Sequence, residues 1–377
     1  MENDHWTHPY IETALFFLGL GVIGFGGPQA HIALMQERAV RRRGWLSDEE
    51  FRSALAVTSL IPGPNSTEMA IHVGWLRNRR AGGLLAGVAF ILPAFLLMLA
   101  LSWAYFRYDN VGWIEDFFYG VKPVVPGIVA VTAWRLTRGA LSDRPLIAIA
   151  LLAFTATLLF PLGEPLYLVA AGVAGITLYT SSGGSRALAL LPFSAPPLLL
   201  ASAATYGKLA WVFFKAGALL FGGGYVMIPL IQGDVVDTYG WLSEEEFLDG
   251  IALGQSTPGP IVITATFVGY AAAGWWGAVL ATVVIFLPSF LFVLFGTGPF
   301  LQRFRDSERL RAFLKGAGAA VVGALFAAAV LLLRDAVIDV PTALLAAAGI
   351  ALLLSGRVQM VLLIAAAGLA GLAIQSL

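Results

Sequence analysis

A Pro-Gly-Pro tripeptide at 62–64 is followed directly by four polar residues, Asn65, Ser66, Thr67 and Glu68. Proline favours the first turn of a helix, so the tripeptide predicts a helix that begins beside Asn65. The first N–H groups of a helix lack partners within it and the helix dipole is positive there, which makes such a start a natural anion site. The amide and hydroxyl groups add hydrogen-bonding groups for oxyanion oxygens, and the carboxyl of Glu68 adds a group that takes up a proton.

The same tripeptide recurs at 258–260 and is part of a longer repeat at an offset of 196. Between 25–64 and 221–260, 18 of 40 ungapped positions are identical. The repeat predicts two fused copies of one membrane unit, 1–195 and 196–377, joined by a stretch rich in serine, glycine and proline. Both tripeptides are then expected to present helix starts to one shared site.

Other residues are candidates for this site because glycine breaks let the backbone approach a ligand closely, or because a lysine within an apolar span is costly. The candidate substrate-binding residues are Gly26, Gly27, Gly63, Asn65, Ser66, Thr67, Lys122, Lys215, Gly222, Gly223, Gly259, Ile261 and Thr264. Each lysine either binds the anion or forms an ion pair. His72 follows Glu68 by four residues and shares its helical face, so these two are the coupling candidates. A structural role for either stays open: for Glu68 at the helix start or in an ion pair with a nearby lysine, and for His72 in a hydrogen bond.

The composition indicates which elements must position these residues. Hydrophobic residues make up 58% of the chain and charged residues 12%, about half the charge of a soluble domain. This excludes a soluble enzyme, a disordered protein and a nucleic-acid binder. There is no cysteine, and the four histidines do not fall in a metal-binding spacing, so we expect no metal and no cofactor.

The apolar segments predict membrane helices of two kinds, since a span needs about 20 apolar residues. The uninterrupted candidates are 82–106, 113–134, 146–161 and 166–180, with counterparts at 276–300, 312–333, 340–355 and 358–376. The broken candidates are 10–36 and 204–231, interrupted by glycines, and 51–76 and 247–273, interrupted by the tripeptides.

Loop charges orient these segments, because basic loops stay in the cytoplasm. The loop 37–52 carries five arginines, whereas its mate 233–249 carries six acidic residues and no Lys or Arg. The loop 107–116 is acidic and its mate 303–311 is basic, so the copies should have opposite orientations. Because 77–80 is basic as well, the segment before it should enter and leave on one side.

The predicted fold class is therefore an all-α polytopic membrane protein with two inverted-topology repeats. Each repeat has five transmembrane spans plus a re-entrant Pro-Gly-Pro hairpin, which gives ten crossings with both termini outside. Inverted repeats with discontinuous helices are typical of secondary transporters that bind substrate near the membrane midplane. No phosphate-binding loop of the GxxxxGK[ST] type occurs, so an ion gradient or the membrane potential should drive transport.

The motifs Phe25-Gly26-Gly27-Pro28, Trp45-Leu46-Ser47 and Pro62-Gly63-Pro64, with their second-half mates, resemble the chromate ion transporter family in its two-domain form. The resemblance covers nearly the whole chain. It implies a multi-pass protein of the bacterial inner membrane that exports chromate, a tetrahedral dianion similar to sulfate. The implied partners are chromate or sulfate, membrane lipid and a second copy of the chain in a homodimer, with no nucleic acid.

Three other functions compete with export of an oxyanion. A passive anion channel could use the same scaffold without coupling, and a carrier could take up sulfate or another oxyanion. A membrane enzyme needs clustered acidic or histidine residues at the interface, and the acidic stretch 234–249 reads instead as a solvated loop and helix start after Ser243. We therefore expect no enzymatic activity.

Overall fold

The computed structural model describes residues 9–59, 61–108, 112–159, 164–180, 201–221, 223–296 and 307–376. In these ranges the chain is almost wholly helical and has no strand, which confirms the all-α prediction. The helices of the first copy are α1 (Pro9–Ile23), α2 (Gly27–Met35), α3 (Asp48–Thr58), α4 (Asn65–Arg107), α5 (Gly112–Val121), α6 (Val124–Ala140), α7 (Arg144–Leu159) and α8 (Glu164–Tyr179). Those of the second are α9 (Ala201–Ala218), α10 (Met227–Gln232), α11 (Glu244–Ser256), α12 (Thr264–Gly296), α13 (Glu308–Ala336), α14 (Val340–Ser355) and α15 (Met360–Gln375).

Among the residues that the structure describes, four helical stretches are long and apolar enough to cross a membrane, namely Asn65–Arg107, Gly112–Ala140, Ile261–Gly296 and Glu308–Ala336. Shorter apolar helices accompany them, among them α1, α7, α14 and α15. Length and composition thus support a polytopic membrane protein. The stretch that joins the two copies, 181–200, lies outside the described residues.

The long helices α4 and α12 each contain a sharp reversal, at 78–79 and at 273–274. Arg79 has a positive φ of 53° and Gly274 one of 62°. The chain then folds back so closely that a β-carbon on Gly74 would lie 2.5 Å from the carbonyl oxygen of Gly82. The segment 65–77 is therefore a short helix in its own right, which begins at the tripeptide and ends at the reversal.

The glycine-broken segment 10–36 does not run on as one helix, because α1 ends at Ile23 and α2 begins at Gly27. Glu12, near the start of α1, forms ion pairs with Arg43, at 2.8 Å, and with Arg77. Both arginines belong to the basic loops, so the segment enters and returns on the same side.

The reversal has a local cause at the glycines. Gly26 and Gly27 have φ values of 102° and 77°. Residues other than glycine rarely adopt these positive φ values. The 15 residues of α1 span about 22 Å at 1.5 Å per residue, which is short of the roughly 30 Å hydrocarbon core. In the second copy, Lys208 of α9 lies over the ring of Tyr239, 4.9 Å from its centroid, so the corresponding segment doubles back in the same way.

The two copies interdigitate through close helix contacts. A β-carbon on Gly120 of α5 would lie 2.0 Å from the carbonyl oxygen of Ala367 in α15. The equivalent contact at the offset of 196 joins α13 to α8. There a β-carbon on Gly316 would lie 2.0 Å from the carbonyl oxygen of Ala171. The last helices of each copy therefore pack against the other copy, in two related contacts.

We expect Gly120→Ala and Gly316→Ala each to lower stability by about 1–3 kcal/mol, because the methyl group would force two helix backbones apart. Gly318→Ala is the matched control, since no atom lies within 4 Å of its β-carbon position. Thermal unfolding in detergent measures the difference. Equal midpoints for Gly316→Ala and Gly318→Ala would contradict this packing.

Candidate functional site

Each Pro-Gly-Pro tip is tied to the glycine break of the other copy. The N–H of Gly63 donates to the carbonyl of Leu220 at 3.0 Å, and the N–H of Gly259 donates to the carbonyl of Gly24 at 2.7 Å. Donor and acceptor correspond at the offset of 196 in both bonds, with the donor in one copy and the acceptor in the other. The tips and breaks are thus joined by a pair of equivalent contacts.

The glycine breaks of both copies lie beside the residues that follow the second tip. A β-carbon on Gly27 would lie 3.9 Å from Ile261, and one on Gly224 would lie 2.9 Å from Val262. Gly223 has a φ of 126°, as expected of a break. Gly222, the remaining glycine candidate, lies outside the described residues.

The helix that follows the first tip contains buried polar groups that lack partners. Ser66, Thr67, Glu68 and His72 are all buried. In the described part of the chain, no hydrogen bond reaches the hydroxyls of Ser66 and Thr67, one oxygen of Glu68 or Nδ1 of His72. Buried polar groups are nearly always hydrogen-bonded in native proteins. Four unsatisfied groups within seven residues therefore mark a place for a ligand or water.

The carboxyl of Glu68 lies against the tip itself. Its Oε1 accepts a hydrogen bond of 3.3 Å from Ser289 of α12, and a β-carbon on Gly63 would lie 2.3 Å from the same oxygen. No ion pair to Glu68 occurs among the residues that the structure describes. Burying an ionised carboxylate without a cation is costly, so this group is suited to taking up and releasing a proton.

The second helix start differs from the first in its chemistry. Thr264 stands where Glu68 stands in the first copy, and its hydroxyl donates to the carbonyl of Ile261 at 3.0 Å. Gln255, before the second tip, accepts a hydrogen bond from the hydroxyl of Tyr225 at 3.1 Å, and its amide nitrogen has no partner within the described ranges. The repeat thus supplies two similar backbones, of which only the first carries an ionisable group.

Lys122 lies apart from the tips, in a cavity of about 590 Å³. Its Nζ is 3.0 Å from Glu245 and 3.7 Å from Asp249, and Tyr105 donates to Asp249 at 2.8 Å. Ala94 contacts the second tip, and Tyr105 is eleven residues further along α4, or about 16 Å. These contacts favour the ion pair over anion binding for Lys122. Lys215 is likewise paired, with Asp234.

We expect Lys122→Ala to destabilise the protein by about 1–3 kcal/mol, because Asp249 would lose its cation while staying buried. The double variant Lys122→Ala/Asp249→Asn should recover most of that loss, since a neutral amide needs no counter-ion. Unfolding midpoints of the wild type, both single variants and the double variant complete the cycle. Additive losses would show that the two groups do not interact.

Two neighbours of the site did not stand out as site residues in the sequence. Ser289 follows Pro288, whose counterpart is Pro93 at an offset of 195, so the serine occupies the place of Ala94. His31 is buried, and its Nε2 lies 2.9 Å from the carbonyl of Gly24, which also accepts from Gly259. The available signal for Ser289 was that a serine follows Pro288 where an alanine follows the matched Pro93.

Broken helices that meet in an all-helical, polytopic membrane protein, with unsatisfied polar groups at a helix start, define a membrane transport protein. The chain belongs to the chromate transporter family, whose model matches residues 11–176 and 207–372. The two matches fall in the two copies of the repeat.

Proteins of known name agree with this family. The chain is 37% identical to the chromate transport protein of Cupriavidus metallidurans, over 97% of this chain and 93% of that one. It is also 37% identical to the chromate transport protein of Pseudomonas aeruginosa, over 94% and 90%. A probable chromate transport protein of Synechococcus elongatus is 33% identical over 90% and 89%. No solved structure matches the chain.

Proposed function

We propose that this protein is a secondary transporter that exports chromate, with sulfate as a near analogue, across a bacterial inner membrane. The anion would bind between the helix starts that follow the two Pro-Gly-Pro tips. The observation that carries the proposal is the group of four unsatisfied polar side chains from Ser66 to His72, beside tips that each bond to the other copy's break.

Backbone groups at the two helix starts suit a dianion. The first helical hydrogen bonds are made by the N–H of Thr67 to Pro64 and, in the second copy, by that of Ile263 to Pro260. The N–H groups of the residues just before them precede the helical bonding pattern and remain available to a ligand. The positive ends of both helix dipoles add to the attraction.

Glu68 would supply the coupling in this mechanism. Its proton would neutralise the carboxyl while a dianion occupies the adjacent helix start, because two negative groups in one buried place repel each other strongly. His72 lies one turn further along the same helix and would pass the proton on. Proton and anion would then cross together, as a pair with one net negative charge.

The charge on the two faces supports export. Glu12, Arg43 and Arg77 gather at one end of the bundle, beside other arginines of the basic loops. The cavity around Lys122 opens at the acidic loops and is lined by six carboxylates. With the basic side in the cytoplasm, an arriving dianion is attracted inside and repelled outside. A potential of 100 mV, negative inside, adds about 2.3 kcal/mol for the one net negative charge of the dianion and its proton.

The same charge pattern supports inverted repeats. Loops of matched sequence carry opposite charge, and the reciprocal bonds of Gly63 and Gly259 fit two copies related by a two-fold axis. We propose that this axis lies in the membrane plane.

Chromate uptake into everted membrane vesicles tests the function. Exporting protein in such vesicles should accumulate chromate against its gradient, and sulfate should compete. Accumulation only in right-side-out vesicles would show an uptake carrier. Fluxes that never exceed equilibrium, with currents indifferent to a pH gradient, would show a passive channel. Either result would overturn the proposed mechanism.

A further inference from the structure

The first copy has an open pocket between α1 and the helical segment Gln36–Arg42 that continues α2, on the side of the basic loops. Its volume is about 340 Å³. The lining residues are Leu15, Phe16, Gly19, Arg38, Arg42 and Arg43. The wall is therefore apolar on the α1 side and cationic on the α2 side.

In the second copy the equivalent place is filled by side chains. Lys215 and Asp234 stand 196 residues after Gly19 and Arg38, and there they form an ion pair. In the first copy the lysine is replaced by a glycine, and no atom lies within 4 Å of its β-carbon position. The carboxylate is replaced by an arginine. The first copy thus has a space where the second copy has a salt bridge.

The positive charge around this space exceeds the negative charge. Glu37 is shared by Arg41 at 3.5 Å and Arg42 at 3.1 Å. Glu12 is shared in the same way by the arginines of the basic loops. Arg38 has no ion pair within the described ranges. Two carboxylates are therefore shared among four arginines, and the guanidinium of Arg38, which lines the pocket, is left for an external anion.

The apolar wall indicates which kind of anion fits. Leu15 is 58% exposed and Ile11, one turn before it, is 53% exposed, so α1 presents an apolar surface that leads to the pocket. The guanidinium of Arg43 lies over the ring of Phe16, 5.1 Å from its centroid. An exposed apolar strip beside arginines matches an amphiphile that has an anionic head.

We propose that this pocket binds the phosphate of an anionic phospholipid from the cytoplasmic leaflet. The planar guanidinium of Arg38 matches phosphate oxygens in pairs, and one acyl chain lies along Leu15 and Ile11. Basic residues at the membrane surface attract anionic lipid, and this pocket gives one such lipid a defined place. The site is separate from the transported anion and does not depend on the direction of transport.

Lipid retention by the purified protein tests the proposal. The protein in a neutral detergent is mixed with phosphatidylglycerol or phosphatidylcholine, and bound lipid is counted by native mass spectrometry. We expect selective retention of phosphatidylglycerol, reduced about five- to tenfold by Arg38→Gln. Arg52→Gln is the matched control, because Arg52 is exposed on the same basic side and does not line the pocket.

A double variant is designed to fill the pocket with an ion pair. Gly19→Lys/Arg38→Asp recreates the ion pair of the second copy, and it should abolish selective retention without lowering the unfolding midpoint in phosphatidylcholine. Equal retention by Arg38→Gln and Arg52→Gln would overturn the proposal. Displacement of the lipid by millimolar inorganic phosphate, with equal thermal stabilisation by phosphate alone, would instead show a site for free oxyanions and would also overturn it.

Discussion

Replacing Glu68 by glutamine is expected to reduce chromate accumulation in everted vesicles by at least about tenfold, while the protein still folds. Glutamine has nearly the same shape and can still accept the hydrogen bond from Ser289, but it cannot exchange a proton. The loss of one charge-assisted contact alone accounts for about tenfold. A carrier without its proton site also loses concentrative transport, because the proton gradient no longer drives the movement of the anion.

Dependence on an imposed pH gradient distinguishes coupling from simple binding. Wild-type accumulation should rise when the gradient is increased and fall when it is collapsed, whereas Glu68→Gln should respond to neither change. Ser289→Ala is the matched control, since it removes only a 3.3 Å hydrogen bond to the same oxygen. It should keep its response to the gradient. A Glu68→Gln protein that accumulates chromate normally would show that the carboxyl only completes the helix start.

The sequence identified the first helix start well, because its signals are local. Proline at a helix start has a fixed meaning, and the second copy of the tripeptide repeated it in register. The structure begins α4 at Asn65, directly after the tripeptide. Composition likewise predicted an all-helical membrane protein, since so few charges cannot cover a soluble surface.

The path of the chain at the glycine breaks could not be predicted in this way. A glycine cluster permits either a kink or a full reversal, and the choice depends on contacts distant in sequence. The ion pairs that join Glu12 to Arg43 and to Arg77 form only after the chain has turned back. The partner of Glu68 was hidden for a related reason. Ser289 lies in the other copy, where the offset has changed from 196 to 195.

The two lysines show a local cost that the sequence reveals, while the group that relieves it lies far away in the chain. An unpaired lysine in an apolar span is unfavourable, and the sequence allowed either an anion or an acidic side chain to relieve it. Lys122 finds Glu245, which is over a hundred residues away and belongs to the other copy. The interdigitated helices create this pairing, and no local pattern in α5 reveals it.

Gly63→Ala is expected to give the largest loss of stability, about 2–5 kcal/mol. Gly63 has a φ of 153°, and its β-carbon would lie 2.1 Å from the hydroxyl of Ser289 and 2.3 Å from Glu68. The backbone strain costs about 1–3 kcal/mol and the overlap in a packed region about the same again. Gly44→Ala is the matched control, because Gly44 has a φ of 61° with no atom within 4 Å. Equal unfolding midpoints for the two variants would contradict the close packing of the tip.

A second substitution separates the role of the tip in stability from its role in transport. Gly63→Ala/Ser289→Gly removes the hydroxyl that the new methyl group meets first, so part of the lost stability should return. Export should not return with it, because the methyl group would still displace the carboxyl of Glu68 from the tip. Thermal unfolding and vesicle accumulation are measured on the same preparations. If both recover together, the tip only packs the bundle. If stability recovers alone, the contact between Gly63 and Glu68 is the part of the structure that transport requires.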